Sequence, residues 1–419
     1  MVETKNISQI KPTPIVAIGV GNRMRKYLTS VEQHPDRVTL VAVVEPDDIR
    51  RKAVASKFGI PDDNCFKSYD DFFASDINVE AAFICTPEND HFNPCIKALD
   101  RGCNVLLEKP AAQNIDELYA IRDKAKETGK EVCVCHMLRY HPCFIKIKEL
   151  IDSGKYGRIV SITHVENVGI DRMSHSYVRG IMNSEKNNNP MLLAKCCHDI
   201  DFLLWLSTAK CVSVSSFGSL LWFRSENAPE GSAKRCKDCA IEGKCPYSAI
   251  DLYWRRREWI SNFDIPDGKT LDDVLRKEFR EGDFGRCVYH CDNDVVDNQV
   301  VNMLMDDGSI ITLHMDIFTQ HDGRTTNIKM TEGEIFSDGT HIHATHFASQ
   351  ESITFEYASI DSNPFHGGAD LRIVEQFLNS IRHEGKDKSS TTIDEAIKVS
   401  EICSAAEDSR KSGETRKLQ

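Results

Sequence analysis

The sequence predicts an α/β protein in which an N-terminal, doubly wound parallel sheet precedes an α+β domain with an open, mainly antiparallel sheet. Two observations predict this division. Up to about residue 135, apolar strand-like runs alternate with helical segments, the pattern of a parallel sheet covered by helices. Beyond that residue, apolar and polar residues alternate within the runs, as in a sheet with one exposed face. The predicted domains are therefore residues 1–135 and 136–419.

The first predicted strand leads into a glycine-rich turn. The apolar run Ile15–Ile18 is followed by Gly19-Val-Gly21-Asn22-Arg23, where a helix is predicted to begin. Glycine at positions 19 and 21 suits a tight turn and a close approach of the backbone to a pyrophosphate. Met24 occupies the place of the third glycine of the dinucleotide fingerprint. Taken alone, the turn is weak evidence, since an ordinary strand-to-helix turn has the same pattern.

The second predicted strand strengthens the dinucleotide interpretation. Residues 38–44 are nearly all apolar, and Glu45 follows them directly. A carboxylate at this strand end accepts hydrogen bonds from the ribose hydroxyls of NAD and repels the 2′-phosphate of NADP. The sequence therefore favours NAD. NADP is the alternative, because Arg50 and Arg51 lie nearby and an arginine can bind the 2′-phosphate.

The remaining elements follow in the same order. Three further apolar runs, at about 81–87, 104–107 and 131–134, complete the parallel sheet, and the predicted helices between strands end at Gly59, Gly102 and Gly129. One of these helices is predicted to begin at Asn114, a capping residue with Glu117 three residues later. In the second domain, residues 158–166 alternate, and residues 300–305 and 310–315 form a hairpin through Gly308. The antiparallel sheet is expected from about 155 to 360, followed by helices at about 370–382 and 393–408.

Composition narrows the class of protein. Of the 419 residues, 52 are Lys or Arg and 64 are Asp or Glu, and the net charge of −12 argues against nucleic acid or an anionic membrane as the main partner. The polar start lacks the apolar region of a signal peptide, and no run approaches 18 apolar residues. Together with 16 cysteines, this predicts a cytoplasmic protein with mostly free thiols.

Several short motifs together resemble one enzyme family, the glucose-fructose oxidoreductase, inositol dehydrogenase and rhizopine-catabolism oxidoreductases (Gfo/Idh/MocA). The resemblance covers nearly the whole chain. The motifs are Gly19-x-Gly21-x-Arg23, Thr86-Pro87 with His91, Glu108-Lys109-Pro110, Leu138-Arg139-Tyr140-His-Pro142 and His198-Asp-Ile-Asp201. The family implies a Rossmann domain, a carbohydrate substrate and a homodimer or homotetramer.

The resemblance also implies roles for individual residues. It makes Lys109 the active-site lysine, with Thr86, Pro87 and His91 along the cofactor. The predicted cofactor-binding residues are Gly19, Gly21, Asn22, Arg23, Glu45, Thr86, Pro87, His91, Glu108 and Lys109. A partly buried lysine or an imidazole suits the chemistry, because oxidising a sugar hydroxyl requires a group that takes its proton.

The second catalytic motif departs from its relatives. Many carry an aspartate four residues before the motif histidine, but this chain has Ala194 before His198. His198 remains the predicted acid/base, and Asp201 is predicted to be structural. Lys195 is predicted either to add positive charge to the pocket or to be a solvated lysine.

Two polar segments look like substrate-binding loops, although a polar surface loop would have the same composition. They are residues 166–179 and His366-Gly-Gly-Ala-Asp370. The predicted substrate-binding residues are Arg139, Asn167, His175, Tyr177, Lys195, His198 and His366. The lysines and arginines raise the hypothesis of a carboxylated or sulfonated sugar.

These observations predict an NAD-dependent oxidoreductase acting on a hydroxyl of a sugar or cyclitol, with Lys109 and His198 assisting proton transfer. The run at His366 resembles NAD-dependent glycosidases, in which oxidation is transient and no net NADH forms. Because the motif aspartate is absent, a non-enzymatic NAD-binding ligand sensor is the third alternative.

A cysteine-rich segment predicts a structural zinc site. Cys236, Cys239 and Cys245 have the spacing of a zinc-binding turn, and a fourth ligand is expected from Cys287, His290 or Cys291. Free thiols are the alternative. The zinc is predicted to hold an insertion at about 224–295, in which residues 253–259 form a wall of the substrate pocket or an oligomer interface.

Overall fold

The computed structural model describes residues 11–186, 188–260, 265–266, 268–358, 366–382 and 391–418. The chain divides into two units. The first comprises Met1–Cys135 and Asp370–Ala396, and the second comprises His136–Ala369 and Ile397–Gln419. The first unit therefore includes a segment from near the end of the chain, which the predicted boundaries place in the second domain.

Helices and strands alternate in the first third of the chain. Beyond it, helices follow helices and strands follow strands over longer stretches. The helices are α1 (Asn22–Gln33), α2 (Asp48–Phe58), α3 (Tyr69–Ala74), α4 (Phe92–Asp100), α5 (Ile115–Thr128), α6 (Pro142–Asp152), α7 (Ile170–Arg172), α8 (Met191–Ser207), α9 (Ala249–Arg255), α10 (Arg257–Ile260), α11 (Leu271–Glu281), α12 (Ala369–Ile381) and α13 (Ile393–Ser412). The strands are β1 (Thr13–Ile18), β2 (Val38–Val44), β3 (Cys65–Phe66), β4 (Ala81–Ile84), β5 (Asn104–Leu107), β6 (Val132–Val134), β7 (Ile159–Asn167), β8 (Cys211–Ser219), β9 (Asn298–Met305), β10 (Ile310–Asp316), β11 (Gly323–Met330), β12 (Gly333–Ser337), β13 (His341–His346), β14 (Ser352–Glu356) and β15 (Arg416–Lys417).

The first unit contains the predicted doubly wound parallel sheet. Its strand order is β3-β2-β1-β4-β5-β6, and every pair is parallel. The central strands are apolar and buried on both faces, which explains their continuous hydrophobic runs. The predicted helix caps are confirmed at α5, where the Asn114 side chain accepts a 3.0 Å hydrogen bond from the Glu117 amide. The carboxyl ends of β1, β2, β4 and β5 share one edge, where ligands bind in such sheets.

The second unit contains the predicted open sheet. Its nine strands have the order β14-β13-β12-β11-β7-β10-β9-β8-β15. Only the β7–β10 pair is parallel among the described pairs of this sheet. The predicted β9–β10 hairpin is confirmed, and Gly308 adopts the φ of 87° that its turn requires. Helix α8 packs on β7 and β10, while on the other face of the sheet described side chains such as Phe217, Leu304 and Ile310 are exposed.

The cysteine-rich insertion lies between β8 and β9 and contains α9, α10 and α11. It has a small apolar core of its own, formed mainly by Leu252, Tyr253, Leu275 and Phe279.

In the described part of the chain, no helix is both long enough and apolar enough to span a membrane.

Candidate active site

The glycine-rich turn joins β1 to α1 as the sequence predicts. Gly19 has a φ of +76°, and a Cβ built on it would lie 2.7 Å from the Cys85 carbonyl oxygen, so only glycine fits. Gly21 precedes the first residue of α1, Asn22, and a Cβ built on Gly21 meets nothing within 4 Å. Open space beside a helix N-terminus fits the pyrophosphate of a dinucleotide.

Glu45 organises this turn from the end of β2. Its carboxylate is buried and accepts hydrogen bonds from the backbone amides of Val20 (2.8 Å) and Asp47 (3.0 Å). Arg51 donates to the Glu45 carbonyl oxygen (2.6 Å) and pairs with Asp48. The Arg51 guanidinium is therefore engaged by groups at and just before the start of α2, and the Glu45 carboxylate lies at the end of β2, from which the sequence predicts a preference for NAD.

Arg23 and Glu108 form a buried ionic network rather than two separate contacts. The Arg23 Nε lies 2.7 Å from the Glu108 carboxylate, and its Nη2 lies 2.7 Å from Asp370. The Tyr27 hydroxyl donates to the same Glu108 oxygen at 2.6 Å. Burial by itself raises the pKa of Glu108, but Arg23 and then Lys109 outweigh it and hold that pKa below its ordinary value.

Lys109 follows this network directly. Its backbone amide donates to the second Glu108 oxygen at 2.8 Å, so that Glu108 fixes the start of the Lys109-Pro110 segment. The Lys109 side chain is 18% exposed, and its Nζ lies 3.9 Å from Glu88. Lys109 therefore stands at the carboxyl edge of the sheet with a partly buried ammonium group.

Thr86, Pro87 and His91 lie at the same edge, after β4. The ring of His91 is buried, with Nδ1 2.7 Å from the Pro110 carbonyl oxygen and Nε2 3.0 Å from that of Thr86. The Thr86 hydroxyl donates to the Asp90 carbonyl at 2.7 Å. His91 thus connects the loop after β4 to the loop that carries Lys109. No sequence pattern predicts this connecting role.

In the second unit, α8 presents His198 and Lys195 one helical turn apart. His198 is 8% exposed, and its ring packs edge-on against that of His136, with centroids 5.7 Å apart. The Lys195 Nζ lies 2.6 Å from the Glu166 carboxylate. Ala194, at the place of the motif aspartate, is buried.

Lys195 contacts a buried charged cluster that the sequence analysis did not predict. Arg324 bridges Glu166 (2.9 Å) and Asp199 (2.6 Å), and His164 lies 3.0 Å from Asp199. Burial raises the pKa of Glu166 to about 7, against the opposing effects of Arg324 and Lys195. The sequence did contain one signal for this cluster. His164 and Glu166 are two residues apart in the alternating run, so they lie on the buried face of β7 together with Ile162.

Arg139 and Asp201 form a second buried ion pair. Two hydrogen bonds of 2.7 and 2.6 Å join the guanidinium to the carboxylate. This pairing agrees with the structural role predicted for Asp201. The pairing also accounts for the buried guanidinium of Arg139 without a substrate.

The predicted substrate loop is largely anchored within its own unit. Residues Met173–Arg179 form a π-helical segment in which Tyr177 is buried. His175 stacks on Phe284 with centroids 4.6 Å apart, and its Nδ1 lies 2.9 Å from the Tyr253 hydroxyl. Asn167 is the last residue of β7. Packing against the insertion therefore accounts for His175 without a substrate, and Tyr177 belongs to the main apolar core of the second unit.

The His-Gly-Gly-Ala-Asp run forms the start of α12. His366 and Gly367 have positive φ values of 47° and 62°. Asp370, at the end of the run, is the partner of Arg23. The run thus has a structural explanation, and His366 remains only a candidate for substrate binding.

The zinc prediction is not supported. Among the described residues, no group of three or more His, Cys, Asp or Glu side chains is placed to hold a metal ion. The thiols instead contact backbone groups: Cys236 Sγ accepts from the Ala249 amide (3.4 Å), and Cys291 donates to the Cys287 carbonyl (3.2 Å). Cys239, Cys245 and Cys287 are likewise free thiols.

Comparison with known proteins agrees with the geometry of the first unit. Residues 14–136 match the family described as oxidoreductase family, NAD-binding Rossmann fold (GFO_IDH_MocA). The scyllo-inositol 2-dehydrogenase (NAD(+)) of Bacillus subtilis is 28% identical over 43% of this chain and 50% of its own. An uncharacterized oxidoreductase of Rhizobium meliloti, ORF334, is 34% identical over 30% of this chain and 37% of its own. The matches thus span half or less of these two relatives.

The fold is shared with solved structures over nearly the whole chain. An Agrobacterium radiobacter oxidoreductase, crystallised with NAD+, L-tartaric acid and magnesium, superposes with a TM-score of 0.71. The superposition covers 97% of this chain and 98% of that one, at 14% sequence identity. Identity this low shows a common fold and no more.

Proposed function

Because its NAD-binding domain, residues 14–136, belongs to the Gfo/Idh/MocA oxidoreductase family, we propose that this chain oxidises a hydroxyl of a sugar, cyclitol or sugar derivative with NAD. The observation that carries the proposal is the position of Lys109. It follows β5 at the same sheet edge as the glycine turn and Glu45, and Glu108 holds its backbone. The scyllo-inositol 2-dehydrogenase relative supports a polyhydroxylated substrate.

Each group in the proposed site has a separate task. Gly19, Gly21 and Glu45 bind the dinucleotide, which supplies the hydride acceptor when bound. Lys109 and His198 take and return the proton of the substrate hydroxyl. Glu108 and His91 position the Lys109 segment through the hydrogen bonds described above.

Product analysis tests this proposal. The purified protein is incubated with NAD and a panel of free sugars, cyclitols and glycosides in heavy water, and the products are identified by mass spectrometry. We expect a keto product accompanied by NADH. Released aglycone with deuterium on the sugar and no NADH would identify a glycosidase instead, and tight NAD binding without turnover would identify a sensor.

A substitution tests the role of Lys109. Lys109→Met is expected to lower kcat/KM by roughly 10²- to 10⁴-fold, the usual contribution of a positioned proton-transfer group. The matched control is Lys97→Met on α4, since Lys97 is 46% exposed and pairs only with surface Asp70 among the described ion pairs. Equal activity of Lys109→Met and the control would contradict the assignment.

A further inference from the structure

On helix α8, Lys195 directly follows Ala194, the residue at the position of the missing motif aspartate. Lys195 and His198 are three residues apart, a spacing that places both side chains on one helical face. The Lys195 side chain is 17% exposed, whereas the Glu166 carboxylate that it contacts at 2.6 Å is 1% exposed. The lysine is therefore partly open to solvent, while its carboxylate partner is sealed from water.

The surroundings of Glu166 are balanced in charge. Facing it are Lys195, Cys196 and Asp199 from α8 and Arg324 from β11, while its neighbour on β10 is the apolar Met315. Two carboxylates and two cations offset one another, with His164 beside Asp199. Lys195 consequently contributes little net charge toward a carboxylated or sulfonated sugar.

A buried ionic cluster of this kind costs several kcal/mol of desolvation, and such clusters are often retained for function rather than stability. Burial raises the pKa of Glu166 to about 7. The carboxyl can therefore hold a proton near neutral pH. If the proton of the Lys195 ammonium moves to Glu166, both groups become neutral and the charge of the pair does not change.

We propose that Lys195 is a third proton-transfer residue of the active site beside Lys109 and His198, in place of the missing aspartate, and that Glu166 is its positioning and proton-holding partner. The proposal rests on the proposed oxidation of a hydroxyl. The neutral Lys195 amine accepts the proton that Lys109 and His198 take from the substrate hydroxyl and becomes an ammonium group, while the hydride of the same substrate goes to the NAD named above. When Glu166 and Lys195 are both protonated, no acceptor remains, so oxidation slows as pH falls below about 7.

Kinetic variants test the pair. Lys195→Met is expected to lower kcat by roughly 10²-fold or more with little change in KM. Glu166→Gln is expected to move the acid limb of the kcat/KM profile upward by more than one pH unit, because the proton-holding carboxyl beside Lys195 is then absent. The matched controls are Lys329→Met and Glu334→Gln, an exposed Lys–Glu pair of the same sheet, which should behave as wild type.

A direct titration gives a readout that does not depend on turnover. Infrared difference spectra should show one carboxyl that titrates near pH 7 in the wild type and disappears in Glu166→Gln. In Lys195→Met its midpoint should rise, since loss of the cation removes a charge that lowers it.

Three results would overturn the role of the pair. These are a carboxyl that titrates only in the ordinary range, a Lys195→Met variant altered in KM alone, and a Glu166→Gln profile equal to wild type. Absence of turnover in the wild type would instead overturn the proposed function, and the catalytic role of the pair with it.

Discussion

At the residue scale, the two glycines of the first turn meet different demands. Gly19 faces backbone atoms of Cys85 and Thr86, which cannot move aside without disturbing β4. Gly21 has an ordinary φ of −67° and faces open space. The fold therefore requires the first glycine, whereas it places no such demand on the second, which leaves open space for the predicted ligand.

This difference predicts opposite phenotypes for two alanine variants. Gly19→Ala should lower the free energy of unfolding by about 1–3 kcal/mol, because it combines a left-handed φ with a backbone clash. Gly21→Ala should retain wild-type stability within about 0.5 kcal/mol yet weaken NAD binding by roughly tenfold, about 1.4 kcal/mol. Urea unfolding and titration calorimetry measure the two effects. Wild-type NAD affinity in Gly21→Ala would contradict the cofactor assignment.

A second residue-scale prediction concerns His175. Burial, then Arg172 and Arg179, lowers its pKa to about 4. Between about pH 4 and the ordinary value of about 6.5, the unfolded chain binds a proton that the folded chain does not, so stability must fall as pH falls.

From pH 7.5 to 5, this histidine should account for about 2 kcal/mol of lost stability. Glutamine in its place can still meet the Tyr253 hydroxyl but does not titrate. The loss should therefore be smaller in His175→Gln, as measured by urea unfolding of both proteins at the two pH values. Parallel pH dependences would show that His175 is not buried in its neutral form.

At the scale of elements, Arg179 connects the π-helical segment to the insertion. The residue is fully buried, and it donates to the carbonyl oxygens of Arg286 (2.7 Å) and Tyr247 (2.6 Å). In return, Arg286 donates to the Arg179 carbonyl at 3.0 Å. One side chain thus joins two distant parts of the insertion.

Loss of this connection should destabilise the insertion. Arg179→Met leaves two partly buried carbonyl groups without this donor, and we expect a cost of about 2–4 kcal/mol. Arg224→Met is the control, because its exposed pair with Glu226 contributes less than about 1 kcal/mol. Urea unfolding and limited proteolysis of residues 224–295 measure the effect. Equal protease resistance of the two variants would exclude Arg179 as the anchor.

At the scale of the whole molecule, the open face of the nine-stranded sheet carries exposed apolar side chains. Leu304 and Ile310 are cross-strand partners and are 45% and 52% exposed, and Phe217 on β8 is 64% exposed. An apolar face of this kind is typical of a surface that pairs with a second copy. This supports the homo-oligomer that the family resemblance implies.

We therefore predict that Leu304→Lys with Ile310→Lys converts a dimer or tetramer into smaller species, because buried lysines oppose pairing of two such faces. Light scattering after size-exclusion chromatography measures the mass. Ile49→Lys, at an equally exposed position on α2, should leave the mass unchanged. A wild-type monomer would contradict the prediction.

The sequence alone determined the elements whose signals are local. The apolar runs of β1 and β2, the glycine turn, the Asn114 cap and the β9–β10 hairpin depend on neighbouring residues, and all are present as predicted. Local patterns suffice there because strand burial, turn geometry and capping act within a few residues.

Only the tertiary structure decided which charged side chains form ion pairs. Arg23 meets Asp370 and Lys195 meets Glu166 across long stretches of chain, and no periodicity marks such partners. The same limit affected the cysteines, because thiol spacing indicates a possible metal site, whereas sulfur positions decide whether one forms. Burial then sets the charge of each group, since desolvation and partners arise only on folding, as the raised pKa of Glu166 illustrates.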